Sequence, residues 1–353
     1  MELMPFDLET PQLGFTPRIS VEVNGREVAA GFYGRLIKAT IRDEGGQTSD
    51  QLTIELDDAD NAIELPPEKA TIEVWMGWKE TGIVLIGTYE MQQPTLKGST
   101  SAGEFITIQA SAADLKSKLK GKGREHFEEK TVKEIADAIA KRNGMTAVVD
   151  AELGKIKIPY RARVDSSEID FLTTLADEHD AVVKPMGDKL VVTKRGSGKS
   201  AAGKALPPIK IEKSDCEDWE IAPEGRSQYG KAKASWIDQK TGKRKTEEAE
   251  TGLKGPDFTV RDPLPTQELA KAKAQAEAKR LTRNTSSGHF SLALGRPDAQ
   301  AEADVIAGPS FRDGIAGTHR ADAVEHTFDE NGFMTKVEIK AKEDGSSGKK
   351  KEK

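Results

Sequence analysis

The segment whose residue types come nearest to a known ligand-binding motif is GKSAAGKA at residues 198–205. Its small residues and two lysines could surround a phosphate. Its spacing matches a nucleotide-binding phosphate loop up to the last position. That position must be Ser or Thr to hold magnesium, and here it is Ala205. The loop must also lead into a helix, which Pro207 and Pro208 block. The Gly/Ser/Lys/Ala-rich composition of residues 195–205 therefore predicts a flexible linker.

The histidines and clustered carboxylates form no recognisable metal-binding or acid–base pattern. None of the histidines belongs to an HExxH motif or a close pair with metal-ligand spacing. A glycosidase needs two carboxylates that face each other across a cleft. Adjacency in the sequence does not show such an arrangement for the carboxylates of Asp57, Asp58 and Asp60 or for those of Glu128 and Glu129. We expect a turn at the first cluster and packing or solvent-facing roles for the histidines. These are His126, His179, His289, His319 and His326.

Nucleophilic catalysis also lacks support. No G-x-S-x-G elbow is present. Cys216, the single cysteine, is flanked by Asp215 and Glu217, and neighbouring negative charge disfavours its thiolate. One cysteine can form neither an intramolecular disulfide nor a zinc cluster, which fits folding in a reducing cytoplasm. The sequence therefore predicts no catalytic, cofactor-binding or metal-binding residues, and a protein that is not an enzyme.

Two other features could instead form contact surfaces. The basic stretch at residues 116–124 is expected to be a solvated helix end, with an inter-subunit contact as the alternative. Trp75 and Trp78 flank Gly77 in a strand-like run and are expected to pack in a core. If these tryptophans were exposed they would mark an interface.

Composition limits the class of protein. The chain has 353 residues, of which 32% are charged, and a net charge of −6. This length predicts two or three domains, and the acidic balance argues against specific nucleic-acid binding. No run of about 18 apolar residues predicts a membrane span. Residues 1–15 lack the basic start and apolar core of a signal peptide.

The elements that must position these residues fall into three regions. Through residue 110, short runs of alternating apolar and polar residues, separated by turn residues, predict a β-sandwich or barrel. Residues 112–119 suggest a short helix. Helices are then predicted at 132–143 and 168–179, each with a capping box, and a hairpin at 181–193. The middle region is therefore a small α/β unit.

Strands resume after the linker. An Ala-rich helix is predicted at residues 267–282, and Asn331 with Gly332 predicts a hairpin turn near the end. Residues 343–353 are Gly/Ser/Lys-rich and are expected to be disordered. The two strand-rich regions share no repeat by residue identity, although their sizes and strand spacings are similar.

Three segments have a distinctive pattern. They are TVKEIADAIAKRNGM at 131–145, SSEIDFLTTLADEHDAVVKPMGDKLVVTKRG at 166–196, and the Ala-rich helix and strands between about 270 and 340. Together these segments resemble the phage late control protein D family of tail hub proteins. One departure is the stretch 300–304, which is acidic and helix-like where the family has a Gly-containing turn. The order of elements is similar along the whole chain.

The resemblance implies a mainly β fold with an α/β insertion. It implies two tube-type β-barrel domains and a small helix–hairpin domain, assembling as a trimeric ring. The expected divisions are a first barrel at 1–120, the insertion and linker at 121–200, a second barrel with the Ala-rich helix at 201–342, and a disordered C-terminal segment at 343–353.

The same resemblance implies the function. Such a ring would join the sixfold tail tube to the threefold spike in the baseplate of a virion or tail particle assembled in the bacterial cytoplasm. The expected partners are two further copies of the chain, the tail tube protein and the spike protein, with tape-measure and baseplate wedge proteins as further candidates. The bore of the ring is expected to be polar. A cell-wall glycan-binding tail protein and a tail-associated peptidoglycan hydrolase are the alternatives.

Overall fold

A computed structural model shows a mainly β chain with four α-helices among the residues that it describes. The described residues are 14–45, 49–65, 67–100, 103–112, 119–186, 189–196, 198, 205–223, 228–313 and 315–342.

The first region consists of strands with one short helix. Its elements are β1 (Pro17–Val23), β2 (Arg26–Glu27), α1 (Ala30–Arg35), β3 (Leu36–Glu44), β4 (Gln51–Asp57), β5 (Thr71–Trp78), β6 (Gly82–Ser99) and β7 (Gly103–Ser111). The sequence missed α1 and β3. Strand β3 fully buries only Ala39 and Ile41, so its apolar pattern is short, and its other face is charged.

The middle region confirms the capped helices. Its elements are β8 (Lys122–Thr131), α2 (Val132–Arg142), β9 (Thr146–Val149), β10 (Lys157–Ser167), α3 (Glu168–Asp177), β11 (Ala181–Met186) and β12 (Lys189–Lys194). Thr131 and Glu134 form the expected capping box, and the Ser167 side chain caps α3. The basic stretch is not simply a helix end, because residues 122–124 begin β8. The rest of the expected helix, 113–118, lies outside the described residues.

The third region mixes strands with the expected long helix. Its elements are β13 (Ile209–Ile211), β14 (Cys216–Pro223), β15 (Lys231–Ile237), β16 (Arg244–Glu250), β17 (Asp257–Thr259), α4 (Gln267–Arg283), β18 (Ser286–Leu292), β19 (Asp304–Ala307), β20 (Gly317–Asp329) and β21 (Gly332–Ala341). The predicted hairpin turn occurs, displaced by one residue: its two loop residues are Glu330 and Asn331, and Gly332, at a φ of 109°, pairs with Asp329. The helix-like expectation for 300–304 is wrong: this stretch is a turn entering β19, with Glu302 at a left-handed φ of 67°.

Strands of the first and third regions form one 13-stranded sheet. Its main path is β14-β18-β21-β20-β3-β4-β7-β6-β5-β1-β2, with β19 and β13 attached beside β20. Two hydrophobic cores lie against it, one in each region. The fold class is thus mainly β as expected, but no closed barrel occurs among the described strands. The reason is that β20 of the third region pairs with β3 of the first, so the sheet continues from one region into the next.

Three smaller sheets complete the fold. Strands β8 and β10 form a two-stranded ribbon, β11, β12 and β9 form a three-stranded sheet, and β16, β15 and β17 form another. The first two share a core with α2 and α3. The third packs its buried Ala234 against Ala270 and Ala274 of α4, whose small side chains allow the helix to lie close to the strands.

Candidate assembly interface

The large sheet contains the same four-stranded unit twice. In the first unit the order is β3-β4-β7-β6, and in the second it is β14-β18-β21-β20. In each unit the first two strands are antiparallel neighbours, and the last two form a hairpin whose second strand lies inside. The two units therefore share both strand order and connection order, although the sequence showed no repeat by identity.

The irregularities of the two units also coincide. Strand β3 shifts register against β4 between Leu36 and Lys38, and β14 shifts against β18 between Cys216 and Asp218. Strand β6 shifts against β7 after Met91, and β20 shifts against β21 after Ala321. Because bulges disrupt a ladder at defined positions, this coincidence fixes which residues of the two units are equivalent.

The two units meet inside the chain at the junction of β20 with β3, where seven residue pairs lie in antiparallel register. Arg42 of β3 spans this junction. Its guanidinium donates two hydrogen bonds of 2.8 Å to Glu338 of β21, donates one of 2.6 Å to Glu44, and lies 3.7 Å from Glu325 of β20. The hydrogen bonds to Glu338 are the main reason that the pKa of Arg42 is raised. The junction is therefore held by both backbone pairing and charge.

One face of the eight strands is polar from end to end. A single row of cross-strand neighbours crosses every strand, and all of its side chains are polar or charged. The row is Asp218, Ser291, Lys336, Glu325, Arg42, Gln51, Ser111 and Glu90. On the opposite face, the row formed by His326, Ile41, Leu52, Ala110 and Met91 is buried. The sheet thus separates two cores from a hydrophilic surface.

The eight-stranded stretch ends in two open edges. Strand β14 pairs with β18 on one side only. Strand β6 pairs with β5 along residues 82–90 and with β7 from Glu90 onward, so residues 94–99 also have one unpaired side. No other described strand covers either edge. An unpaired edge presents backbone N–H and C=O groups that can pair with another chain.

Trp78 makes a buried link between the regions. It is 8% exposed, its ring centroid lies 5.5 Å from that of Phe333 in the second unit, and its Nε1 donates a 3.1 Å hydrogen bond to the carbonyl oxygen of Gly295. Trp78 therefore packs in a core, as expected. Trp75, on the same strand, is half-buried.

The α/β insertion is tied by charge to the first unit and to helix α4 of the third region. Lys184 of β11 lies 3.3 Å from Asp43 and 3.1 Å from Asp50. Burial, and then the neighbouring Asp43 carboxylate, raise the pKa of Asp50 to about 6. Asp180 is buried and accepts a 2.8 Å hydrogen bond from Arg283 at the end of α4. These contacts fix the insertion on the flank of the sheet.

The histidines are dispersed, as expected from their spacing. His319 and His326 are buried and hydrogen-bonded, His289 lies 2.8 Å from Asp218, and His126 stacks on Tyr160. Among the described residues, no group of three or more His, Cys, Asp or Glu side chains could hold a metal ion. Burial and hydrogen bonding give His319 and His326 packing roles, and the exposed His126 has a surface role.

The structure also places the other candidate residues of the sequence analysis, Asp60 and Cys216. Asp60 pairs with Arg35 in the turn after β4, at 2.6 Å. Burial, followed by Asp215 and Asp218, raises the pKa of Cys216 to about 11, which disfavours a thiolate. Residues 199–204 of the phosphate-loop-like segment lie outside the described residues. None of the described helices is long and apolar enough to cross a membrane.

The fold is similar to that of solved phage tail proteins and of a type VI secretion component. The 43 kDa tail protein of prophage MuSo2 from Shewanella oneidensis superposes with a TM-score of 0.69 at 14% identity, covering 94% of this chain and 99% of that one. A type VI secretion component of Escherichia coli, described as structurally similar to the T4 tail proteins gp27 and gp5, gives 0.56 at 8% identity, covering 94% and 79%.

In sequence, the chain is similar to the probable baseplate hub protein of Escherichia phage 186. The identity is 28% over 365 residues, covering 92% of this chain and 93% of that protein. The probable baseplate hub protein of Escherichia phage P2 is also 28% identical, with coverage of 93% and 94%. No protein-family model matches. The expected resemblance to tail hub proteins is therefore confirmed.

Proposed function

We propose that this chain is the structural hub of a contractile phage-type tail baseplate, a trimeric ring between a sixfold tail tube and a threefold spike. The observation that carries the proposal is the repeated four-stranded unit in a chain similar to baseplate hub proteins along nearly its whole length. Three copies would present six similar units. A threefold ring of paired units can therefore face both symmetries.

The polar sheet face supports this function. In a ring of such units one face of the sheet would surround the bore, and a surface of paired charges offers a passing chain little apolar area for adhesion. We assign the polar face to the bore and the two cores to the body of the ring. No step of this role requires catalysis, and we infer a structural, non-enzymatic protein of the virion or tail particle that assembles in the host cytoplasm.

We propose the same domain division as the sequence suggested. The first barrel-type domain would span 1–120, the insertion and linker 121–200, and the second barrel-type domain 201–342. Each proposed domain contains most of one of the three large hydrophobic cores. Among the buried core residues, Phe333 crosses into the first core and Leu119 into the core of the insertion. The partners would be two further copies, the tail tube protein and the spike protein, with tape-measure and wedge proteins as further candidates.

The test is the solution mass of the full chain, alone and mixed with the spike protein from the same gene cluster. Light scattering should give three times the 38.4 kDa chain mass in at least one sample. A monomer in both samples would overturn the trimeric ring.

One observation favours a second candidate, a cell-wall glycan-binding role for the insertion. Tyr160 of β10 is 57% exposed and stacks on His126 with ring centroids 6.2 Å apart. It borders a groove between β10 and α3 that Thr174 also lines. Exposed aromatic rings can pack against sugars. Sedimentation of the full chain with purified peptidoglycan should show binding that is lost in Tyr160→Ala and retained in Tyr33→Ala, which alters a tyrosine far from this groove.

A further inference from the structure

The equivalence of the two units identifies a partner for each open edge. Inside the chain, β20 of the second unit pairs with β3 of the first. The strand equivalent to β20 in the first unit is β6, and the strand equivalent to β3 in the second unit is β14. The edges of β6 and β14 that correspond to this junction are the two open ones.

We propose that β6 of one copy pairs antiparallel with β14 of the next copy, in the register that β20 and β3 use within the chain. This inference rests on the proposed ring and specifies its closing contact. Every junction around the ring, within and between copies, would then have the same strand geometry, as a ring of six similar units requires.

The ladders fix the register. Thr40 lies opposite Thr53 on β4, and Glu220 lies opposite His289 on β18; measured from the shared bulges, Glu220 is the equivalent of Thr40. By the same count along the hairpins, Lys97 of β6 is the equivalent of Thr327. Within the chain Thr327 lies opposite Thr40.

Two residue pairs follow from this register. Lys97 of one copy lies opposite Glu220 of the next on the polar face. Leu96 lies opposite Ile221 on the core face, which corresponds to His326 opposite Ile41 within the chain.

The side chains at these positions are complementary. Leu96 is 62% exposed, although its cross-strand neighbour Ile106 is buried, so the edge of the first core is left uncovered. Ile221 packs at the corresponding edge of the second core. Juxtaposing the two would cover both edges, and removing this apolar surface from water favours the contact.

The charges are complementary as well. Lys97 lies 5.9 Å above the Phe105 ring, and neither it nor Glu220 forms an ion pair with any residue that the structure describes. Opposite charges placed directly across an antiparallel pair are favourable, and like charges there are unfavourable. This complementarity favours a second copy over an unrelated strand as the occupant.

Cysteine cross-linking tests the register in a Cys216→Ser background. In an antiparallel pair, directly opposed Cα atoms lie about 4.5–5.5 Å apart, within disulfide range, whereas diagonal neighbours lie about 7–8 Å apart, beyond it. The variant K97C/E220C should therefore give covalent oligomers under mild oxidation. The matched variant K97C/A222C, displaced by two residues on the same face, should give few, and each single cysteine none. All three residues replaced are exposed, so folding should be retained.

Charge reversal gives a second readout. Lys97→Glu and Glu220→Lys should each raise the concentration at which half of the trimer dissociates by roughly threefold or more, and the double reversal should restore it to within about twofold. All samples are measured alone and with the spike protein.

The failures of the two proposals are distinguishable. A wild-type chain that stays monomeric with and without the spike protein overturns the hub ring and this contact together. A trimer in which K97C/A222C cross-links as well as K97C/E220C, or in which neither cross-links, overturns the register and leaves the hub. A trimer unaffected by either charge reversal likewise overturns the Lys97–Glu220 contact.

Discussion

Replacing His326 with leucine should make the protein less sensitive to acid. His326 is 1% exposed; its Nδ1 lies 3.0 Å from the Thr335 hydroxyl and its Nε2 lies 3.3 Å from the carbonyl oxygen of Ala299. Burial lowers the pKa of His326 from 6.5 to about 4, although the carboxylates of Asp43 and Asp298 oppose this change. Between about pH 4 and pH 6.5 the imidazole of His326 is therefore neutral in the folded protein but protonated in the unfolded chain.

The direction and size follow from linkage. The folded-state pKa is depressed, so the stability that depends on neutral His326 is fully present above pH 6.5 and is lost as the pH falls towards 4. At 1.36 kcal/mol per pH unit, the loss at pH 4.5 is roughly 2–3 kcal/mol. His326→Leu removes this term. It leaves the Thr335 hydroxyl bonded to the Arg296 amide, and leucine already occupies the equivalent position, Leu96.

The assay is urea unfolding of both proteins between pH 4.5 and 7.5. At pH 7 the variant should be equal to the wild type or weaker by about 1 kcal/mol, the value of one hydrogen bond. At pH 4.5 it should have gained roughly 2–3 kcal/mol relative to the wild type. His126→Leu is the matched control, because the His126 side chain is 64% exposed, and should leave the profile unchanged. A stability difference between H326L and wild type that is the same at both pH values would refute the reasoning.

Two further perturbations test how the regions are joined. Trp78→Phe keeps most of the buried ring but removes the hydrogen bond to the Gly295 carbonyl oxygen of the third region. It should cost about 1–3 kcal/mol in urea unfolding, and an unchanged midpoint would contradict that link. Lys184→Met leaves the carboxylates of Asp43 and Asp50 facing each other without their cation, so the insertion should detach more easily at neutral pH. Hydrogen exchange of β11 and β12 should rise roughly tenfold or more above that of the exposed control Lys189→Met at the same pH. This excess should shrink as the pH falls and Asp50 becomes protonated, because loss of the Lys184 cation raises the pKa of Asp50 further.

Local chemistry alone determined much of this fold. The N-cap residues Thr131 and Ser167 predicted α2 and α3, although only α2 forms the full capping box. The hairpin after α3 and the one near Asn331 were also predicted correctly. These features depend on neighbours within a few residues, so the sequence contains all the information that they need. The absence of a catalytic pattern and the resemblance to tail hub proteins followed from the same reading, and the resemblance is confirmed.

Strands held mainly by their neighbours were invisible in the sequence. Strands β3, β8, β10 and β14 carry many charges, and β14 buries its apolar side chains only at one edge of a core. Strands β8, β10 and β14 pair with strands that are not their neighbours in the chain, and β3 pairs with the distant β20 as well as with the adjacent β4. The alternation of apolar and polar residues is a weak signal for a strand when one face is charged and the other face carries only a few apolar residues.

The repeat itself was decided only in three dimensions. His326 and Leu96, or Thr327 and Lys97, occupy equivalent positions with unlike side chains, so no comparison of residue identities could reveal them. The strand register does reveal these equivalent positions, because bulges and ladder order depend on backbone geometry and not on side-chain chemistry. Backbone groups are the same in every residue. Two different sequences can therefore keep the same backbone architecture. Their side chains then adapt one four-stranded unit to the internal junction and leave the other unit open at an edge.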